Sequence, residues 1–283
     1  MKKQRTIKGP VTIEGIGLQT GKKVKLSLKS SPADSGISFV RTDLPGAPAL
    51  NLRSINLDDS ALIGRRTSLG SGLLRIQTTE HFLAALSGLG IDNITAELDG
   101  AELPGMDGSA KDFVHVIRRC GIIEQGSPKK ILKIKEAVWS RDGDKLVAIL
   151  PEDNFRVSYT MSYENTAIGA QYFDIEVDEE SFISQIAPAR TFCLKSEALM
   201  LMASGLGKGA SWKNALIMGK RGPFKNKLRF KDELVRHKIL DLIGDLYILG
   251  VPVIGRVIAI KSGHSLNMEL VKKLKEKIVT SSQ

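Results

Sequence analysis

The run from Leu228 to Gly250 constrains what this 283-residue chain can fold into more than any other stretch. Leu234, Val235, Ile239, Leu240, Leu242, Ile243, Leu246, Ile248 and Leu249 leave little of a helical circumference polar. A helix of that kind is buried on most sides and needs packed layers around it. Yet His237, Asp241 and Asp245 recur at every fourth residue, so they share one helical face. A lone buried carboxylate costs several kcal/mol, roughly, unless it is paired or bound to a metal. His and Asp at i and i+4 put a nitrogen and an oxygen where one zinc ion takes both. A structural His–Asp hydrogen bond produces the same pattern, and the helix taken alone leaves both open.

Periodicity supplies the rest of the framework. Thr12–Ile16 and Val24–Leu28 alternate as strands around a turn with Gly17 and Gly21, and Ile37–Arg41 reads as another strand. A helix is expected from Thr78, capped by Thr78 or Thr79, with Phe82, Leu83, Leu86 and Leu89 at helical spacing and Gly90 stopping it. Ile94–Leu98 is a strand, and Gly108-Ser109 leads into a helix through Phe113, Val116 and Ile117. At Gly121–Lys130 the pattern lapses into Gly, Ser, Pro and Lys, which suggests a boundary between halves 1–126 and 127–283. Strands are expected at Ile131–Val138, Lys145–Leu150 and Phe155–Ser162, and helices near Glu179–Ile186, Leu234–Leu249 and Met268–Ile278. Strands followed by helices, twice over, give an α+β class with two halves. No internal sequence repeat is evident.

Two further segments carry chemistry-bearing residues. In Thr78-Thr79-Glu80-His81 the adjacent Glu80 and His81 diverge by about 100° around a helix, so one side chain can bind a metal while the other sits beside its water. A glutamate in a first turn also simply complements the helix dipole. Lys261-Ser262-Gly263-His264 follows the apolar strand Val257–Ile260, which puts His264 on a loop well placed to reach into a site or merely to be solvated. The fourth histidine, His115, sits in an ordinary helical pattern and reads as structural.

Composition limits the partners. Apolar residues make up 42% and charged residues 25%, a globular profile. Cys120 and Cys193 form no CxxC pair, which argues against a zinc ribbon or a disulfide scaffold and fits a reducing cytosol. The basic start is followed by no apolar stretch of the signal type, and the apolar run Leu246–Ile260, broken by Gly250, Pro252, Gly255 and Arg256, is too short to span a bilayer. The net charge of +10 attracts anions: nucleic acid, an anionic lipid surface or a phosphorylated small molecule. Aromatic residues are only 5%, with no basic run interleaved with aromatics as a base-stacking platform requires.

Taken in order, the segments QRTIKGPVTIEGIGLQTGKKVKL, TTEHFLAALSGLGIDN, ELPGMDGSAKDFV, ARTF, LRFKDELVRHKILDLIGDL and IAIKSGHSLN resemble the UDP-3-O-acyl-N-acetylglucosamine deacetylases of lipid A biosynthesis over nearly the whole chain. The resemblance implies two similar α+β halves with helices packed between two sheets, and one catalytic zinc. By position the metal ligands fall on His81, His237 and Asp241, the general base on Glu80, and a second catalytic histidine on His264, with Asp245 and Lys238 beside it. Thr191 corresponds to the residue at the developing oxyanion, Phe192 to a substrate-contacting aromatic, and Lys261 and Lys145 to basic residues near the nucleotide phosphates. The implied partner is an acylated UDP-amino sugar, with no nucleic acid and at most peripheral membrane contact. Leu194–Met218, with Leu199, Met200, Leu201 and Met202, offers either an acyl-chain groove or an ordinary core helix. Two departures stand out: Gln19 occupies the place of a usual histidine in the first glycine turn, and Cys193 follows Phe192 where glycine is common. The alternatives are a zinc amidohydrolase for another acylated amine and a basic nucleic-acid-binding module whose His–Asp pairs are structural.

Overall fold

The structure, a computed structural model, describes residues 2–57, 66–164, 166 and 168–280. Strand β1 (Lys3–Ile7) precedes a first sheet in which the hairpin β2 (Val11–Ile16) and β3 (Lys23–Ser30) is followed by β4 (Ile37–Arg41) and the short β5 (Leu50–Asn51). A two-stranded ribbon, β6 (Ser68–Leu69) and β7 (Ile76–Gln77), then leads into helix α1 (Glu80–Gly88), strand β8 (Ile94–Leu98) and helix α2 (Lys111–Cys120). The sheet order is β2-β3-β8-β4-β5, and β8 runs antiparallel to β3 and parallel to β4. Alternation explains the strands: in β4 the buried Ile37 and Phe39 point inward while Ser38 and Val40 are half-buried.

The chain then repeats this plan. Strand β9 (Ile122–Pro128) pairs back onto β1, and β10 (Leu132–Lys133) precedes the hairpin β11 (Val138–Asp142) and β12 (Lys145–Leu150), then β13 (Phe155–Tyr163) and β14 (Gly169–Glu176). A single turn, α3 (Glu179–Ser181), a small three-stranded sheet of β15 (Phe192–Leu194), β16 (Leu216–Gly219) and β17 (Gly222–Phe224), and helix α4 (Lys195–Ala203) are inserted before helix α5 (Glu233–Leu246). Strand β18 (Val253–Ile260) and helix α6 (His264–Thr280) complete it. The main order of this sheet is β11-β12-β18-β13-β14, with β18 antiparallel to β12 and parallel to β13. Both sheets thus insert their last strand between the second and third, with a helix before it and a helix after it. No described helix is long and apolar enough to cross a membrane.

The helices meet in the middle. Helix α1 packs on α5, and α5 also packs against β13, β14 and α6. On its other side α1 is seated by Phe82, whose ring meets Phe39 of β4 at 6.0 Å and Phe113 of α2 at 5.4 Å, both edge-on. The apolar surround expected for α5 is therefore real: its residues from Leu234 to Leu246 are buried except Arg236 and Lys238.

Several expectations are corrected. Ile122–Pro128 is a strand, because it returns to pair with β1, so the polar run read as the boundary between halves carries regular structure across residue 126. The strand expected over Ile131–Val138 splits: β10 pairs with β18, and the chain then moves out to the sheet edge as β11. Glu179–Ile186 is helical as expected, but as one capped α-turn that continues as a π-helix over Phe182–Ile186. Thr79 is the residue before α1, yet neither it nor Thr78 caps the helix with its side chain. The last helix begins four residues early, which places His264 at its first position and not on a loop.

Candidate active site

The crossing of α1 and α5 creates the site. Gly244 of α5 lies so close to α1 that an added Cβ would stand 2.0 Å from the backbone oxygen of Glu80. This approach brings His81 against His237, their rings edge-on at 4.9 Å. Nε2 of His81 and of His237 lie 3.7 and 3.3 Å from Oδ1 of Asp241. Ligand atoms of the three residues all fall within 4.8 Å of one another, and all three are buried.

The surrounding bonds orient these groups. His237 Nδ1 lies 3.0 Å from the Ala189 carbonyl, which can only accept, so Nδ1 carries the proton and Nε2 presents its lone pair to the cluster. Burial lowers the His237 pKa to about 3, keeping the ring neutral. Burial by itself would raise Asp241, but the Lys238 ammonium beside it holds it well below the usual carboxylate range. Lys238 donates to Oδ2 of Asp241 at 2.7 Å, which leaves Oδ1 facing the histidines. Two imidazoles and a carboxylate, with His237 and Asp241 each held by a second bond, form a donor set that suits zinc.

Glu80 and His264 flank the cluster. Burial pushes the Glu80 carboxyl up, opposed by His264 and His81. Its Oε2 accepts from the Thr67 amide at 3.2 Å. His264 is also buried, which disfavours its charge, but Asp245 and then Asp241 and Glu80 override this and raise its pKa to about 9. Nδ1 of His264 donates to Asp245 at 2.9 Å, and Nε2 is turned to the cluster side, 3.9 Å from Asp241 Oδ2. Asp245 also accepts from Thr67 Oγ1 at 2.5 Å and from Asn267 Nδ2 at 2.8 Å. The Ser262 carbonyl accepts from Tyr159 Oη, which ties the turn before His264 to β13. Thr67, Asn267 and Tyr159 carry no pattern of their own in the sequence, since their partners lie far along the chain or on another element, and only the fold assembles them.

A cleft of about 770 Å³ opens over the cluster, lined by Glu80, His81, Thr191, Phe192, His237, Lys238, Asp241 and His264 and, at its mouth, by Lys145 and Lys261. Asp245 does not line it and acts from behind His264. Thr191 and Phe192 are positioned through Arg190, whose guanidinium donates to the buried Glu233 at the start of α5 at 2.8 and 3.1 Å. Removing one partner of such a pair costs about 3–5 kcal/mol. The Phe192 ring packs between Tyr163 at 5.8 Å and His237 at 6.4 Å. At the mouth, Lys261 is paired with Asp144 at 2.7 Å and Lys145 with Asp142 at 3.4 Å, so neither candidate phosphate-binding lysine stands free. Arg66, which the sequence does not mark, lines the cleft with Nε and Nη1 buried and without a hydrogen-bond partner among the described residues.

The first glycine turn reaches the site through Glu102, which accepts from the amides of Gln19 and Thr20 at 2.8 and 2.9 Å and from Thr78 Oγ1 at 3.0 Å. Thr78, two residues before Glu80, is held at a left-handed φ of 59°. Gln19 turns its side-chain oxygen to the Gly207 amide at 3.2 Å, so it braces the loop after α4. That helix is not an ordinary core helix, since it has no buried residue, while Leu201, Gly207, Ala210 and Ala215 of the segment Leu194–Met218 line the cleft.

Comparison with known proteins agrees with this assembly. The sequence profile of UDP-3-O-acyl N-acetylglycosamine deacetylases (LpxC) matches residues 4–276. A UDP-3-O-acyl-N-acetylglucosamine deacetylase of Cellvibrio japonicus is 42% identical over 279 residues, covering 98% of this chain and 91% of the relative. The proteins of the same name from Myxococcus xanthus and Saccharophagus degradans are each 42% identical over 96% of this chain, covering 86% and 91% of those relatives. The chain therefore belongs to the UDP-3-O-acyl-N-acetylglucosamine deacetylase family.

Proposed function

We propose that this protein is a zinc-dependent deacetylase that removes the N-acetyl group of a UDP-3-O-acyl-N-acetylglucosamine, giving acetate and UDP-3-O-acyl-glucosamine for lipid A synthesis. The observation that carries the proposal is the buried His81–His237–Asp241 trio, flanked by Glu80 on one helix and His264 on another, in a chain of this family. His81, His237 and Asp241 would hold the zinc ion, which when bound would supply Lewis-acid polarisation of the acetamide carbonyl and a more acidic water.

The protein's own groups divide the remaining work. Glu80, whose burial raises its proton affinity, takes the proton from the attacking water as the new C–O bond forms. Thr191 and Lys238 face the oxygen on which negative charge develops. His264, protonated through Asp245, gives its Nε2 proton to the amine nitrogen as the C–N bond breaks. The proton balance closes when His264 regains a proton and Glu80 releases one to solvent. Phe192 flanks the sugar and acyl end, while Lys261 and Lys145 at the cleft mouth meet the diphosphate in competition with Asp144 and Asp142. Cys120 and Cys193 form no disulfide among the described residues, which fits a reducing, cytoplasmic setting.

Metal analysis joined to an acetate-release assay tests the proposal. Stoichiometric zinc and activity that both disappear on chelation are expected, and Glu80→Gln should keep the metal while losing about 10²–10⁴ in rate. Full activity in protein stripped of metal would overturn the assignment, and equal turnover of an acetamide lacking the nucleotide would favour a more general zinc amidohydrolase.

A further inference from the structure

Helix α4 turns Leu201 to the cleft but leaves Leu199, Met200 and Met202 facing solvent, 62%, 66% and 68% exposed. Trp212 and Phe224 are also exposed, at 52% and 45%. Lysines join these side chains into one patch: Lys195 Nζ lies 5.3 Å from the centre of the Phe224 ring, and Lys225 Nζ lies 5.5 Å from Phe224 and 5.0 Å from Trp212. The stretch 195–231 holds nine Lys and Arg against a single acid, Glu197, so it carries +8 of the chain's net +10. Arg229 is held by Asp107, whereas none of the other eight cations forms an ion pair among the described residues.

Exposed apolar side chains ringed by cations mark an interaction surface. The two halves of the patch ask for one ligand that is both apolar and anionic. We propose that α4 and the β16–β17 hairpin form a peripheral docking surface for an anionic lipid bilayer. Leu199, Met200 and Met202 enter the boundary between headgroups and acyl chains, Trp212 and Phe224 lie at headgroup level, and the lysines meet lipid phosphates. A nucleic acid would use the charge but not the leucine and methionines, and lysines already stand over the ring faces that bases would stack on. Leu201, Gly207 and Ala210 of the same segment line the cleft, so docking sets the cleft mouth beside the membrane. The inference stands on the surface alone and does not depend on the reaction assigned to the cleft.

Co-sedimentation of the full chain with phosphatidylcholine vesicles, with and without phosphatidylglycerol, tests it. Binding is expected to the phosphatidylglycerol vesicles and to weaken with salt. The double variant Lys213→Glu/Lys225→Glu should lower the partition coefficient by about tenfold or more, since each surface lysine contributes about fivefold at an anionic membrane. Leu199→Ser/Met202→Ser should also weaken binding, and both variants should keep the wild-type melting temperature. In a Trp139→Phe background, Trp212 emission should shift to the blue on vesicle addition. Absence of binding at low salt, wild-type binding by both double variants, or Trp212 emission that responds to an oligonucleotide and not to vesicles would overturn the proposal.

Discussion

Gly244→Ala sets two effects of opposite sign against each other. In an exposed helix the change stabilises by about 1 kcal/mol, because alanine is the better helix former. Here the new Cβ would lie 2.0 Å from the backbone oxygen of Glu80, where ordinary contact begins at 3.4 Å. The obstacle is backbone at the first turn of α1, so no side chain can swing aside. Overpacking of this kind costs about 1–3 kcal/mol, which outweighs or cancels the propensity gain and leaves a net loss of up to about 2 kcal/mol. The functional cost is larger. Opening the contact moves Glu80 and His81 away from His237 and Asp241 by about an ångström, and a misplacement of that size costs about 10²-fold in rate. Urea unfolding read beside acetate release separates the two: a modest drop in stability with a drop of about 10² in kcat/KM is expected, together with weakened zinc retention. A variant that gains about 1 kcal/mol and keeps full activity would refute the reasoning, since it would mean that α1 and α5 do not cross this closely.

Asp241→Ala removes one of the three clustered ligand groups and strands Lys238, so zinc content and melting temperature should both fall; retention of a full equivalent of zinc would remove Asp241 from the ligand set. His264 works protonated and has its pKa raised from 6.5 to about 9, so the rate should fall as pH rises through about 9, and the stability its charge supplies should be complete below pH 6.5 and lost across the same interval. Asp245→Asn removes the main group raising that pKa and should move the alkaline limb of the pH–rate profile to lower pH; an unmoved limb would assign it to another group. Lys261→Ala should weaken the nucleotide substrate by about ten- to a hundredfold with zinc retained, less so at high salt. Equal effects on a fragment lacking the diphosphate would show that Lys261 does not meet the phosphates.

Where local pattern coincides with burial, the elements were legible. Ile37–Arg41, Ile94–Leu98 and Lys145–Leu150 fall on the expected residues because each alternates cleanly against a covered face. The ribbon Ile122–Pro128 was not legible, since its pairing with Lys3–Ile7 bridges more than a hundred residues and leaves no local mark. Strand β14 is illegible for a related reason: Ile175 is its one buried residue, and its pairing with β13 defines it. Among site residues, those in dense polar–apolar contrast were found, whereas Thr67, Asn267 and Arg66 gain their meaning from neighbours far along the chain.

The sequence by itself determined that α5 is buried and that His237, Asp241 and Asp245 share one of its faces, because helical periodicity is a local property. It also placed Glu80 and His81 side by side at a helix start. The tertiary structure decided what those groups became. It duplicated one strand order in two halves with no evident sequence repeat, and it set the helix that precedes the central strand of each half against its counterpart. It used Gly244 to bring them close enough for His81 and Asp241 to share one small volume. It also sorted the two aspartates of α5, turning Asp241 toward the histidine pair and Asp245 behind His264. Spacing of four residues puts both on the same face, but only the contacts across that face distinguish them: electrostatic environment is set by neighbours in space, and these come from α1, from α6 and from the segment around Thr67.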